Sequence, residues 1–304
     1  MKPLYSVITD AHVSPTDTAW VNSGIRGDAR YALQQFVSLS IENKVVAAVG
    51  LGDLIDRAVN RALAPTAWMR ALDQLESAGI PFLFIQGNHD MDDPPWLSMH
   101  RNAVHMHGLT RKVGPLVFYG LDYQPADRLT EALANVPTGV DVLLCHQGWE
   151  QFMNRPGSFQ GSLKNVTNAR LVLTGDPHAR KTLKLKTATA NKIEDHSPGA
   201  TCKQAVNEPD EHFILFGDRL GSITECRLNS RIVLRCDTLP TAEQLDTYLD
   251  AIPHKLHQAE VQARELGLPE ELIKPLVVIY HAATLTDVRR RAERVLAGRG
   301  FLFC

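Results

Sequence analysis

The stretch Pro81-Phe82-Leu83-Phe84-Ile85-Gln86-Gly87-Asn88-His89-Asp90 decides how the rest of this 304-residue chain is read. Phe82 to Ile85 is an unbroken apolar run, short enough to be a strand buried on both faces of a sheet. Gly87 ends it. An amide, an imidazole and a carboxylate then stand side by side on the loop. As packing they are costly; as chemistry they are useful.

The same arrangement recurs upstream. Tyr5–Thr9 is β-rich and empties into Asp10-Ala11-His12, and Val45–Val49 ends in Gly50-Leu51-Gly52-Asp53-Leu54-Ile55-Asp56. Between them, after a polar loop over 13–28, Leu33, Phe36, Val37, Ser40 and Ile41 mark one face of a helix over 30–42. A second helix starts at Pro65, buries Trp68, Leu72 and Leu75, and stops at Gly79. This is strand-helix-strand-helix-strand. Open α/β sheets carry their sites at the carboxyl ends of strands, and three such ends in succession are polar here.

Downstream, Leu116–Tyr119 is another strand. Val140–Cys145 delivers His146, and Leu171–Thr174 delivers Gly175-Asp176-Pro177-His178. Lys181–Lys186 alternates basic and apolar residues, as a half-exposed strand does. Phe213–Phe216, Thr224–Leu228 and Ile232–Cys236 are late strands, with Asn229-Ser230 as a hairpin turn between the last two. After Leu239-Pro240 the composition changes. A polar helix over 243–265 is interrupted by Pro253, Leu276–Tyr280 is a strand, and Thr286 caps a helix exposing Arg289, Arg290 and Arg291. Residues 1–238 and 239–304 are expected to form a main domain and a small α/β appendage.

Composition excludes several classes. At 44% hydrophobic and 22% charged this is ordinary globular material, without a run long enough to span a membrane or an N-terminal signal peptide. Five scattered cysteines form no Cys-x-x-Cys, which excludes a zinc framework and fits reduced thiols in the cytoplasm. Cys226 and Cys236 would face each other across the hairpin, but reduced thiols are the plain reading. The net charge of −2 leaves nucleic-acid binding to a local patch. The acid-poor stretch with Arg180, Lys181, Lys184, Lys186 and Lys192 is the candidate, Lys181 and Lys184 foremost; a solvated strand face accounts for the same alternation.

The strand ends together offer Asp10, His12, Asp53, Asn88, His146, Asp176 and His178. Mixed carboxylate, imidazole and amide donors suit two divalent ions of intermediate hardness, manganese first, with magnesium or iron as alternatives. Asp53 is the natural bridge, because a carboxylate has two oxygens to share. Two ions roughly 3.5–4 Å apart can clamp a phosphate and activate water, so no nucleophilic side chain is required. His89 is left over as a proton donor or phosphate contact, with Asp90 or Asp56 to orient it. His100, His105 and His107 read as strand or surface residues, and His196 is unassigned.

Asp10-x-His12, Gly52-Asp53-x-x-Asp56, Gly87-Asn88-His89-Asp90, the isolated His146 and Gly175-Asp176-x-His178 resemble the motifs of calcineurin-like metallophosphoesterases, in order, over roughly residues 1–238. The departure is Asp176, where that family usually has the first His of Gly-His-x-His. Motif spacing, Ser197-Pro198-Gly199-Ala200 with Glu208 beyond it, and Arg231-Ile232-Val233-Leu234 make the chain most similar to SbcD-type DNA repair nucleases. The resemblance implies two mixed β-sheets flanked by helices, with residues 239–304 as a small capping domain. It also implies manganese-dependent hydrolysis of DNA phosphodiesters, a homodimer and an SMC-like ATPase subunit. A small-molecule or nucleotide phosphatase is the alternative, favoured by the near-neutral charge. A binding subunit with a decayed site is a third reading, for which Asp176 is the one hint.

Overall fold

The computed structural model describes residues 2–13, 27–55, 64–153, 159–187, 191–203, 208–236, 242–279, 286–296 and 301–303. Along the chain run β1 (Tyr5–Ile8), α1 (Asp28–Glu42), β2 (Ala47–Leu51), α2 (Ala64–Ser77), β3 (Phe82–Ile85), β4 (Ala103–His105), β5 (Thr110–Val113) and β6 (Leu116–Leu121). There follow α3 (Ala126–Ala134), β7 (Val142–His146), β8 (Leu171–Gly175), β9 (Lys181–Lys186), β10 (Lys192–Ser197), β11 (Phe213–Gly217) and β12 (Ile223–Arg227). The C-terminal elements are β13 (Val233–Cys236), α4 (Ala242–Glu265), α5 (Glu270–Ile273), β14 (Leu276–Ile279), α6 (Thr286–Val295) and β15 (Phe301–Phe303).

Two six-stranded sheets carry the orders β12-β11-β1-β2-β3-β4 and β5-β6-β7-β8-β10-β9. Both are mixed. Strands β1 to β4 are parallel, as are β6, β7, β8 and β10, while β11, β12, β5 and β9 are antiparallel additions. Phe82–Ile85 shows how the layers arise. Successive side chains point to opposite faces. Phe82 and Phe84 pack outward with Phe36, Trp68 and Leu72 of the α1–α2 layer. Leu83 and Ile85 turn inward, against Phe118, Leu144 and Leu173 of the second sheet. On that sheet Leu143 and Cys145 face out, under Leu129 and Leu133 of α3. The result is helix, sheet, sheet, helix, each interface apolar. Every fully buried large side chain in it contributes roughly 1.5–3 kcal/mol.

The third sheet, β13-β14-β15, is parallel and stands apart. It corrects the expected closing hairpin. Strand β12 pairs with β11, whereas β13, on the near side of residue 239, pairs with β14. Arg231 is anchored at the parting, where its guanidinium donates to Lys274 O (2.6 Å), Glu271 O (2.8 Å) and the Asp28 carboxylate. Cys226 and Cys236 are free thiols. Helix α4 runs through Pro253, which removes one backbone donor. Burial of Leu249, Ile252, Leu256 and Ala259 along one face offsets that loss. Strands β4, β5 and β10 and helix α3 were not anticipated; they are short or half-polar. Among the described residues no helix is long and apolar enough to cross a membrane.

Strand β10 carries a buried carboxyl away from the strand ends. Asp195 Oδ1 accepts from Thr174 Oγ1 at 2.8 Å, and Oδ2 has no hydrogen-bond partner. Burial pushes Asp195 up to about 8, against the opposing bonds from Thr174 and the His196 amide. A carboxyl raised in this way takes up a proton on folding. Its contribution is intact below about pH 4 and is lost as pH climbs toward 8, with a limiting slope of about 1.4 kcal/mol per pH unit. Asp195→Asn is therefore expected to flatten the fall in melting temperature between about pH 5 and 8. Thermal melts of both proteins check this, and parallel curves would acquit Asp195.

Candidate metal centre

Six parallel strands, three from each sheet, empty onto one edge of the sandwich, and the loops that follow are laced together. Asp10 N–H donates to Gly52 O (3.2 Å), His12 N–H to Asp53 O (2.9 Å) and Gln147 N–H to Gly175 O (3.2 Å). The Asp176 amide donates to both oxygens of Asp10, at 3.2 Å each. The lacing demands unusual backbone. Asp10, His12, Asp53 and Asp176 adopt φ of 47°, 42°, 49° and 86°. Such left-handed residues cost of order 1–3 kcal/mol each and persist where the surroundings over-determine them.

These turns aim the side chains at one point. Asp53 Oδ2 lies 3.7 Å from His12 Nε2 and 3.4 Å from His146 Nε2. Asp10 Oδ1 lies 3.6 Å from His178 Nε2 and 4.0 Å from His146 Nε2, and Asp176 Oδ1 is 3.9 Å from His146 Nε2. Donor atoms of Asp10, His12 and His178 form one group within 4.8 Å, those of Asp10, Asp53 and His146 a second, and those of His12, Asp53 and His89 a third. Asn88 is exposed on the loop between Gly87 and His89.

The hydrogen bonds fix which atoms face inward. His146 Nδ1 donates to Leu51 O at 2.7 Å, leaving Nε2 for the cluster. His178 Nδ1 sits 2.5 Å from Glu208 Oε1, again leaving Nε2. Nε2 of His12 and of His146 are buried with no hydrogen-bond partner. Such atoms are expensive unless an ion takes the lone pair. Gly87 is obligatory beside them, since a Cβ there would lie 2.2 Å from Asp53 Oδ1. Carboxylate and imidazole donors with orphaned nitrogens fit divalent cations.

Electrostatics point the same way. Burial opposes charge on His146, yet Asp53, Asp10 and Asp176 raise it to about 10. Burial also opposes charge on His178, which Glu208 and Asp10 raise to about 9. Burial, with Asp10 and Asp53, pushes Asp176 up to about 6 against His146. Asp53 is held well below the usual carboxylate range, because His146 and His12 overcome its burial. Burial keeps His12 low in spite of Asp53 and Asp10. The centre is short of positive charge.

His89 stands at the rim. Its amide donates to Asp53 Oδ1 (2.8 Å), and its ring lies 5.0 Å from that of His12. Asp90 does not serve as expected. Its oxygens accept from the amides of Leu54 (2.7 Å) and Gly87 (2.6 Å), so it clamps two loops together. Asp56 lies outside the described residues. Tyr123 was missed: its ring is 6.5 Å from that of His146, and burial, Asp176 and Asp53 raise its pKa. Strand β6 ends on the same edge, so the strand-end rule already pointed to Asp122-Tyr123. Glu208 was noted in sequence without a role.

Other expected residues lie elsewhere. Lys181 opens β9 half-buried, and Lys184 is exposed and paired with Glu194 at 3.0 Å. His105 binds Asp122 (2.8 Å), His100 stands beside Asp73 (3.1 Å), and His196 bonds Glu194 (2.8 Å). Arg291 clamps α6 to Asp246 and Asp250 of α4.

The fold and the donor set define a metal-dependent phosphoesterase, and comparison with known proteins gives the family. The profile described as "Calcineurin-like phosphoesterase" matches residues 6–219, and the chain belongs to that family, whose members use a dinuclear metal centre. Two curated relatives are named "DNA double-strand break repair protein Mre11". That of Sulfurisphaera tokodaii is 25% identical over 173 residues, 52% of this chain and 45% of the relative. That of Haloferax volcanii is 30% identical over 168 residues, 53% and 38%. The match thus spans less than half the length of either relative. Among solved structures, a dimetal phosphatase from Danio rerio is similar at 12% identity and a TM-score of 0.46, covering 71% of this chain and 94% of that one.

Gly87→Ala tests the cradle. The added methyl is expected to displace Asp53 and lower manganese affinity at least about tenfold, with the far-ultraviolet spectrum unchanged. Calorimetric titration reads the affinity. Wild-type binding in this variant would show that Asp53 holds no ion.

Proposed function

We propose that the protein hydrolyses DNA phosphodiester bonds with two divalent ions, manganese first, held by Asp10, His12, Asp53, Asn88, His146, Asp176 and His178. The observation that carries the metal reading is the pair of buried, unpartnered imidazole nitrogens, of His12 and His146, facing one oxygen of Asp53. That oxygen suits a ligand shared by both ions. When bound, two such ions would clamp a phosphate and lower the pKa of water. The chain's own residues do the rest. His89 gives a proton to the leaving oxygen or holds a phosphate oxygen, and its amide anchors Asp53. Asp176 in place of an imidazole gives one ion a harder ligand, which favours manganese or magnesium.

DNA as the substrate is supported by the two repair relatives, each matched over about half of this chain. Lys181, three residues beyond His178, and Lys184 further along the same edge strand are the proposed backbone contacts. Residues 239–304 would cap this nuclease. A second copy of the chain and an SMC-like ATPase are proposed partners. The second reading, a nucleotide or small-ester hydrolase, draws on the net charge of −2.

Full-length protein with manganese is expected to degrade linear duplex or single-stranded DNA. Cleavage of a small aryl phosphodiester with no attack on either DNA would sink the nuclease reading and leave the hydrolase. Asp53→Asn is expected to cut turnover by roughly 100-fold or more, since it weakens a shared ligand; near-normal turnover would contradict the two-ion scheme. His89→Ala should lower turnover by about 100-fold while bound metal, measured by elemental analysis, stays at the wild-type level. Loss of metal would make His89 a ligand instead.

A further inference from the structure

Arg235 lies on β13, in the sheet that stands apart from the sandwich, yet its guanidinium reaches the segment that orients a metal-facing histidine. Nε donates to Asp210 Oδ2 at 2.6 Å, and Nη2 donates to Asp210 Oδ1 at 2.7 Å and to the main-chain oxygen of Glu208 at 3.2 Å. Lys203 supports the same segment. Its Nζ donates to Glu208 O (2.6 Å) and Asp210 Oδ1 (2.7 Å). From that doubly held backbone the Glu208 carboxylate reaches His178 Nδ1 at 2.5 Å, and His178 Nε2 faces Asp10 Oδ1 at 3.6 Å. The side chains are sheltered, with Lys203 9%, Glu208 10% and Arg235 18% exposed. Solvent screens such bonds only weakly.

The fork of a guanidinium on a carboxylate fixes direction as well as distance. A carboxylate on the outer nitrogen of a ligating imidazole fixes the tautomer and ring orientation and makes the inner nitrogen more basic. The two devices are joined in series here. His146 has a different support. It leans on Leu51 O, within the sandwich, and has no tie to β13 among the bonds described.

We propose that Glu208 and Arg235 are positioning residues for one of the two ions. Through them the C-terminal sheet sets the affinity of the ion held by Asp10, His12 and His178, and leaves the ion beside His146 untouched. The inference rests on the dinuclear metal reading above. The competing account makes Arg235 glue between the C-terminal unit and the sandwich, affecting stability alone.

Manganese titration of the full-length chain by calorimetry, well below the melting temperature, separates these accounts. Wild type should bind two ions. Glu208→Ala and Arg235→Ala should each keep one ion at wild-type affinity and weaken the other, by about 10–100-fold and about 10-fold respectively. Arg235→Lys, which keeps the charge without the fork, should fall between wild type and Arg235→Ala. It carries the test alone if Arg235→Ala does not fold. Arg291→Ala, which loosens α6 from α4 in the same unit, should lower the melting temperature and leave both affinities unchanged. Wild-type binding of both ions by the Arg235 variant that folds would overturn the proposal, as would equal weakening of both ions there and in Arg291→Ala. A wild-type chain that binds no ion pair would instead overturn the metal reading on which the proposal stands.

Discussion

The constraint on which this structure depends is the burial of Asp53 between two imidazoles, with two further carboxylates close by. Asp10 and Asp53 are almost wholly removed from solvent, and the Asp176 side chain is 21% exposed. Like charges gathered in a weakly screened interior repel strongly, and neutral packing of similar shape would cost less. The chain supports the arrangement with left-handed backbone at four aspartate and histidine positions and with glycines where any side chain would collide. It makes sense as a site built around positive charge. The carboxylates that raise the pKa of His146 and His178 would likewise attract a divalent ion.

The sandwich is the frame that holds this cost in place. Each central strand is packed on both faces and paired in continuous register, so every strand end is fixed relative to its neighbours. Parallel pairing sends the carboxyl ends of β1, β2 and β3 to one edge of the first sheet, and those of β6, β7 and β8 to one edge of the second. Bonds between loops then do what strand pairing cannot. Asp90 ties the β2 and β3 loops, and the Asp176 amide ties the β8 loop to Asp10. A carboxylate in such a role acts on geometry and need not meet a substrate.

The C-terminal unit is more than an appended patch. Arg231 spreads its guanidinium bonds across α1 and the end of α5, and Arg235 reaches the segment that carries Glu208. Both arginines belong to the short segment in which the chain leaves the first sheet for the third. The crossing is therefore a place where the two units are tied together by charged hydrogen bonds, one of which backs onto the segment that holds Glu208.

Much of this was readable along the chain. Apolar runs ending in Asp10, Asp53, Asn88-His89, His146 and Asp176 are local facts, because a strand buried on both faces needs only its own composition to declare itself. The helices over 28–42 and 64–77 follow from periodicity in the same way. The polar pieces were not local facts. Strand β10 includes Glu194, Asp195 and His196, which look like a loop until Thr174 and Glu194's neighbours provide partners. The sequence pattern also placed the strand read as Ile232–Cys236 in a hairpin, since alternation says that a strand exists and nothing about its partner; in the fold Val233–Cys236 pairs with β14, some forty residues on, beside the bonds of Arg231. Asp90 was close to the site in sequence, but its side chain turned to two amides. Residue types and their order along the polypeptide thus determined the alternation of strands and helices and the candidate donors at the strand ends, while the layering was implied by the family resemblance. The partner of each strand, the direction of each imidazole and the reach of Arg235 came only with the folded chain, because they depend on groups that distance along the backbone does not relate.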